Sequence, residues 1–101
     1  MIDRNLYTGL IRLHILHHAA EGPIFGQAMM DELGRHGYRL SAGTLYPILH
    51  GMERQGYLRS RQTLNAGRFR REYRATAAGK KALVTARRRV QELFGEMFEH
   101  G

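Results

Sequence analysis

The chain has 101 residues, 43% of them hydrophobic and 25% charged, with a net charge of +7 and no cysteine. One small domain fits that length, burying roughly 60–70% of its unfolded surface, and disulfides, thiolate metal sites and cysteine nucleophiles are excluded. No apolar run nears the roughly 20 residues that cross a bilayer, and Met1–Asn5 lack a leader pattern, so a cytoplasmic protein without a membrane partner is expected.

The first helix is predicted over Arg4–Ala20, with Asp3 as N-cap and Gly22-Pro23 as stop. Leu6, Tyr7, Leu10, Ile11, Leu13 and Ile15 cover an arc of roughly 200°, twice what a helix packed on one side needs. His14, His17 and His18 do not interrupt it. Such a helix calls for cover on two sides, the second from another subunit. The second helix is predicted over Gly26–His36, with Ala28, Met29 and Leu33 inward and Gly37 past its end.

Ser41 is a suitable N-cap for a third helix running to Gln55, with Gly56 in the left-handed position after it. Leu45, Ile48, Leu49 and Met52 share one face. The other face holds Gly43, Pro47, His50, Gly51 and Arg54, with Thr44 and Tyr46 at its borders. Pro47 leaves two readings: an irregular first turn, or a late helix start. Tyr57–Thr63 and Phe69–Ala75 read as two strands, joined through Leu64–Arg68 by a loop longer than two residues. Alternation puts Phe69, Arg71, Tyr73 and Ala75 inward, with Arg71 paired to an acid. Thr76 then caps a helix predicted to continue to Glu99, roughly 36 Å long. In it Leu83, Val90 and Met97 are spaced by seven, as are Ala86 and Leu93, a seam suited to helix–helix packing.

The fold class that follows is mainly α with a small β-hairpin. It is a winged helix-turn-helix over residues 1–75 and a long C-terminal dimerisation helix over 76–101, together one structural unit. The expected dimer contacts are Leu6, Leu10, Leu83, Val90, Leu93, Phe94, Met97 and Phe98.

Charge distribution points to a partner. Residues 1–50 carry four basic and four acidic side chains, while residues 51–101 carry twelve and five. Arg59, Arg61, Arg68, Arg70, Arg71 and Arg74 face a single acid, Glu72, within the hairpin. A confined surplus of arginine is a footprint for a polyanion, and a merely solvated basic surface is the alternative. The small and hydroxyl-bearing side of the third helix suits the major groove of double-stranded DNA. Thr44, Tyr46 and His50 are candidates for base contacts; Arg54, Arg68 and Arg70 are candidates for phosphate contacts.

A resemblance sharpens this. Ser41, Gly43, Thr44, Leu45, Tyr46, Leu49, Met52, Glu53, Gly56 and Leu58 resemble the PadR pattern S-x-G-T-L-Y-x-x-L-x-x-L-E-x-x-G-x-[LI]. Arg71, Tyr73, Thr76 and Gly79 are similar to its R-x-Y-x-[LI]-T-x-x-G, and Phe25–Met29 to its Y-G-Y-x-[IL]. Gln27 departs from the second aromatic, Ala75 from the large apolar residue, and there is no Trp. The resemblance implies a homodimer on a palindromic operator, usually a repressor, often released by a small-molecule effector. It implies an operator-facing set of Ser41, Gly43, Thr44, Tyr46, Pro47 and His50 with the wing arginines. It also implies a dimer made by the last helix against the partner's first.

Two other readings stand beside it. His14 and His18 lie four apart, with His17 adjacent, a spacing that can hold Zn²⁺ or Ni²⁺ in a metal-responsive regulator. Half-buried imidazoles at a helix contact are the plainer reading, and no cofactor is expected. A winged helix can also serve as a protein–protein interaction module. Enzyme signatures such as G-x-S-x-G, H-E-x-x-H and G-x-G-x-x-G are absent from the sequence, so no catalysis is expected.

Overall fold

A computed structural model describes residues 4–99, so Asp3, the expected first cap, lies outside the described residues. The elements are α1 (Arg4–Glu21), β1 (Ile24–Phe25), α2 (Gly26–Arg35), α3 (Ala42–Arg54), β2 (Leu58–Asn65), β3 (Arg68–Ala75) and α4 (Ala77–Phe94). A π-helical turn, Gly95–Glu99, continues α4. The one continuous last helix expected from the sequence therefore changes its winding after Phe94.

The apolar stripes of three helices meet over one face of a small sheet. Ile11, Ile15, Leu16 and Ala19 of α1, Met29 and Leu33 of α2, and Leu45, Leu49 and Met52 of α3 are buried with Ile24, Leu58, Tyr73 and Ala75. Leu16 joins this core although it stood outside the predicted arc. Ala28, expected inward, is exposed. Pro47 sits inside α3, which nonetheless begins at Ala42. It forgoes the bond its nitrogen would have given the Gly43 carbonyl, a loss confined to the second turn.

The sheet is antiparallel in the order β1-β3-β2. The two-residue β1 was too short to carry a periodic signal. It pairs Ile24 with Tyr73 and Phe25 with Glu72. The hairpin register brings Asn65 opposite Arg68, leaving only Ala66 and Gly67 in the turn. The expected longer loop is corrected here. Both turn residues have positive φ, +54° and +78°, the conformation of a type I′ turn, which continues the strand twist. Asn65 and Arg68 thus belong to the ladder.

α4 begins in a dense junction. Thr76 Oγ1 accepts from the Gly79 amide (2.9 Å) and donates to the Gly56 carbonyl (2.6 Å), while the Thr76 amide donates to the Tyr57 carbonyl (3.0 Å). A Cβ on Gly79 would lie 2.2 Å from the Tyr57 carbonyl oxygen, so only glycine lets α4 approach this closely. Beyond the junction α4 leaves the body. The radius of gyration is 14.7 Å and the longest extent 53 Å, against about 13 Å expected for a compact chain of 100 residues.

Ala66 holds a left-handed conformation that costs a β-carbon about 1–2 kcal/mol. Ala66→Asn is expected to stabilise the protein by about 0.5–1 kcal/mol, raising the thermal midpoint by about 2–6 °C. A midpoint that stays or drops would count against strain at this turn.

Candidate nucleic-acid interface

The solvent side of α3 is built from residues that cannot serve the core. With Leu45, Leu49 and Met52 pointing inward, Gly43, Pro47, His50, Gly51 and Arg54 fall opposite them by helical spacing. Gly43, Pro47, His50 and Arg54 are exposed and Gly51 half-buried. Ser41 is the capping residue by backbone geometry, its carbonyl accepting from Thr44 (3.1 Å) and Leu45 (2.9 Å). Its hydroxyl, however, donates to Thr44 Oγ1 at 3.3 Å rather than capping an amide. The first amides of α3 therefore keep no side-chain cap from Ser41 and face outward at the positive end of the helix.

The two border residues differ. Thr44 is exposed, on the flank toward α1, where it lines a groove with Tyr7 and Ile48. Tyr46 is half-buried on the flank toward the sheet, and a Cβ on Gly26 would meet its hydroxyl at 2.1 Å. Gly26 is thus a seat for Tyr46, which ties α3 to the start of α2. Beneath it Tyr73 is fully buried, its hydroxyl without a hydrogen-bond partner among the described residues. Burial, then the nearby Glu53 carboxylate, raises the Tyr73 pKa above its ordinary value.

The six wing arginines do not form one patch. Strand alternation sends Arg71 to the Tyr73 face, toward α3, and Arg70 and Arg74 to the opposite face. Arg71 Nη1 donates to Ser60 Oγ (3.1 Å), and Ser60 Oγ donates to Glu53 Oε2 on α3 (2.8 Å). Arg71 is exposed, and its recorded partner is a hydroxyl, which corrects the expectation of an inward arginine paired with an acid. The acid belongs elsewhere: Glu72 takes Arg61 (2.7 Å) and Arg74 (3.1 Å). Arg70 lies over the Phe25 ring, 3.8 Å from its centroid. Arg68 is exposed beside the turn. Phe69, expected inward, is 71% exposed because the hairpin outruns the body it packs on.

Residues 15–85 match the Transcriptional regulator PadR-like family. The transcriptional regulator Rv3488 of Mycobacterium tuberculosis is 51% identical over 94 residues, 93% of this chain and 88% of that protein. The chain belongs to the PadR-like family of transcriptional regulators. A PadR family regulator from Eggerthella lenta, 28% identical, superposes with a TM-score of 0.79 over 94% of this chain and 84% of that one. A PadR-like transcription factor from Bacteroides fragilis, 22% identical, shares the fold with a TM-score of 0.81, covering 95% and 93% of the two chains.

In this PadR-like chain a second surface stands apart from α3. Leu6 and Leu10 of α1, Val90, Leu93 and Phe94 of α4, and Met97 and Phe98 of the π-helical turn are exposed, while Leu83 is half-buried against the core. Between α1 and α4 runs an open groove of about 610 Å³, lined by Leu10, Leu13, Leu83, Val90 and Phe94 among others. No helix is long and apolar enough to cross a membrane among the described residues.

The histidines divide along α1. His14 stacks on His36 (centroids 4.8 Å apart) and meets Tyr38 edge-on (5.4 Å). His18 approaches Glu32 (3.9 Å), which also takes Arg35 and His36. Among the described residues, His17, His18 and Glu21 form a group of three potential metal ligands within 4.8 Å of one another. Arg71, Gly26 and Glu72 were not singled out for these roles in the sequence, since each depends on a contact between elements.

Burial, then the neighbouring imidazoles of His36 and His18, holds the His14 pKa below its ordinary 6.5. A group depressed on folding favours the neutral form, so its contribution is complete above about pH 6.5 and is lost as pH falls through the folded value. His14→Phe should therefore flatten the loss of stability between about pH 7 and 5 relative to wild type. Denaturant midpoints that run parallel across that range would remove His14 as a cause.

Proposed function

We propose that the protein is a sequence-specific repressor that binds a palindromic operator in double-stranded DNA as a homodimer. The observation that carries this is the exposed side of α3. Gly43, Pro47, His50, Gly51 and Arg54 form an outer face without a large apolar residue, and Arg71 is held toward the same helix through Ser60 and Glu53. Small residues allow the helix deep into a major groove about 12 Å wide. Thr44 and His50 then reach base edges, the Ser41–Gly43 end of α3 meets phosphate, and Arg54, Arg68 and Arg71 follow the backbone. Tyr46, seated on Gly26, positions the helix. The PadR-like relationship supports the regulatory role.

The second copy is proposed to cover the apolar residues of α1 and α4, placing two copies of α3 about 34 Å apart, one turn of B-DNA. The unit is then a DNA-binding portion over 1–75 and a dimerisation helix over 76–101. An apolar effector fits the groove between α1 and α4, where it would alter how the two copies sit.

Selection of bound duplexes from a random pool tests the central claim: a twofold-symmetric consensus is expected, and an enriched pool without symmetry would refute a dimeric operator complex. Arg54→Ala with Arg71→Ala should reduce the slope of log affinity against log salt by about 1.8, two phosphates' worth, on every duplex. An unchanged slope would take both residues off the backbone. Val90→Glu with Leu93→Glu should give a monomer by sedimentation and lower operator affinity at least tenfold; a dimer that persists would place the interface elsewhere.

A further inference from the structure

Apart from Arg68 beside the turn, the proposed operator contacts lie on the α3 side of the wing, and the base of its other face has no role among them. On that face the register sets Arg61 across from Glu72, and Arg59 across from Arg74. Tyr73, Leu58 and Ser60 point the other way, toward the body and α3. The four residues Arg59, Arg61, Glu72 and Arg74 line an open cleft of about 410 Å³ together with Ser60.

The carboxylate organises this cleft. Glu72 is only 5% exposed although its face of the sheet is open to water, because its neighbours lie over it. Both Arg61 and Arg74 donate to it through Nε, and both to the same oxygen, Oε1. A guanidinium held by Nε has its two terminal amino groups left for another acceptor. These side chains remain accessible, 70% exposed for Arg61 and 44% for Arg74. The bonds from Arg61 and then Arg74 keep the Glu72 carboxyl below its ordinary pKa, so the clamp stays charged at neutral pH.

Charge does not balance here. One arginine would neutralise Glu72, and three surround it. Arg59 and Arg74 are directly opposed across the strands, an arrangement of like charges that destabilises a hairpin. A residual charge of two, with donors already oriented, fits an oxyanion that accepts several N–H groups, as phosphate does.

We propose that Arg59, Arg61 and Arg74, gathered around Glu72, form a phosphate-binding site on the face of the wing turned away from α3. Its ligand is a phosphate ester, from either of two sources: the backbone of DNA that curves around the wing, or a phosphorylated small molecule. The site lies apart from the contacts proposed for α3 and does not require them.

The test follows the arginine Nε–Hε resonances of the full chain, labelled with ¹⁵N-arginine and titrated with pyrophosphate at constant ionic strength. Saturable shifts are expected at Arg59, Arg61 and Arg74, with Arg54 unmoved. Arg61→Gln with Arg74→Gln should abolish them. Because that variant leaves Glu72 without its partners and can misfold, Arg59→Gln is the second variant. It has no ion pair to lose among the described residues, and should weaken pyrophosphate binding at least threefold.

Repeating the titration on protein saturated with duplex separates the sources. Displacement of pyrophosphate, with a salt slope lowered by about 1 in Arg59→Gln, assigns the site to the DNA backbone. Retained pyrophosphate binding assigns it to a small phosphorylated ligand. Shifts no larger than chloride produces, or an Arg59→Gln titration identical to wild type, would overturn the site. A protein that binds pyrophosphate but no duplex would refute operator binding and leave this site standing.

Discussion

The geometry of this protein depends on the approach of the first turn of α4 to the Gly56–Tyr57 backbone. Thr76 bonds that backbone twice, through its amide and its hydroxyl, and its hydroxyl also caps α4. Gly79 permits the approach because a β-carbon would collide with the Tyr57 carbonyl. Gly56 follows the end of α3, Tyr57 precedes β2, and Thr76 follows β3. One knot of hydrogen bonds therefore fixes the outward helix α3, the wing and the helix that leaves the body. A polar junction of short bonds is directional where apolar packing is not. The junction thus joins the apolar surface of α4 to the end of α3 through directional bonds.

Alternation in β3 divides the arginines by task. A run of Arg70, Arg71, Glu72, Tyr73 and Arg74 looks in sequence like a single basic cluster. Folded into a strand, it places Tyr73 in the core, Arg71 beside α3, and Glu72 with Arg74 on the far face. Arg70 is stacked on Phe25 of the short edge strand. The same net charge thus serves two surfaces, separated by the thickness of a sheet.

Much of this was legible before folding. The apolar spacing of α3, the glycines at positions 37 and 56, and the Thr76 cap are local signals, and each resolves in the structure as backbone chemistry requires. The face of α3 opposite the core follows from the same periodicity. The elements that escaped are those set by contacts distant in sequence. β1 exists because β3 offers it a partner. The hairpin turn is two residues because cross-strand pairing continues through Asn65 and Arg68, although Ala66 is a poor choice for positive φ. Arg71 was misjudged for a related reason: which arginine meets an acid is decided by Ser60 and Glu72 on the paired strands, just as the depth to which Tyr46 sinks is set by Gly26 on another element.

The π-helical turn after Phe94 has a mechanical meaning. A wider turn breaks the regular winding on which the seven-residue spacing of Leu83, Val90 and Met97 depends, and Phe98 packs on Phe94, with ring centroids 5.0 Å apart. The zipper available to a second copy is accordingly brief. In the proposed dimer, a seam this short would let subunits exchange readily, even with help from α1. Occupancy of DNA by that proposed dimer would then rise and fall with the concentration of the protein.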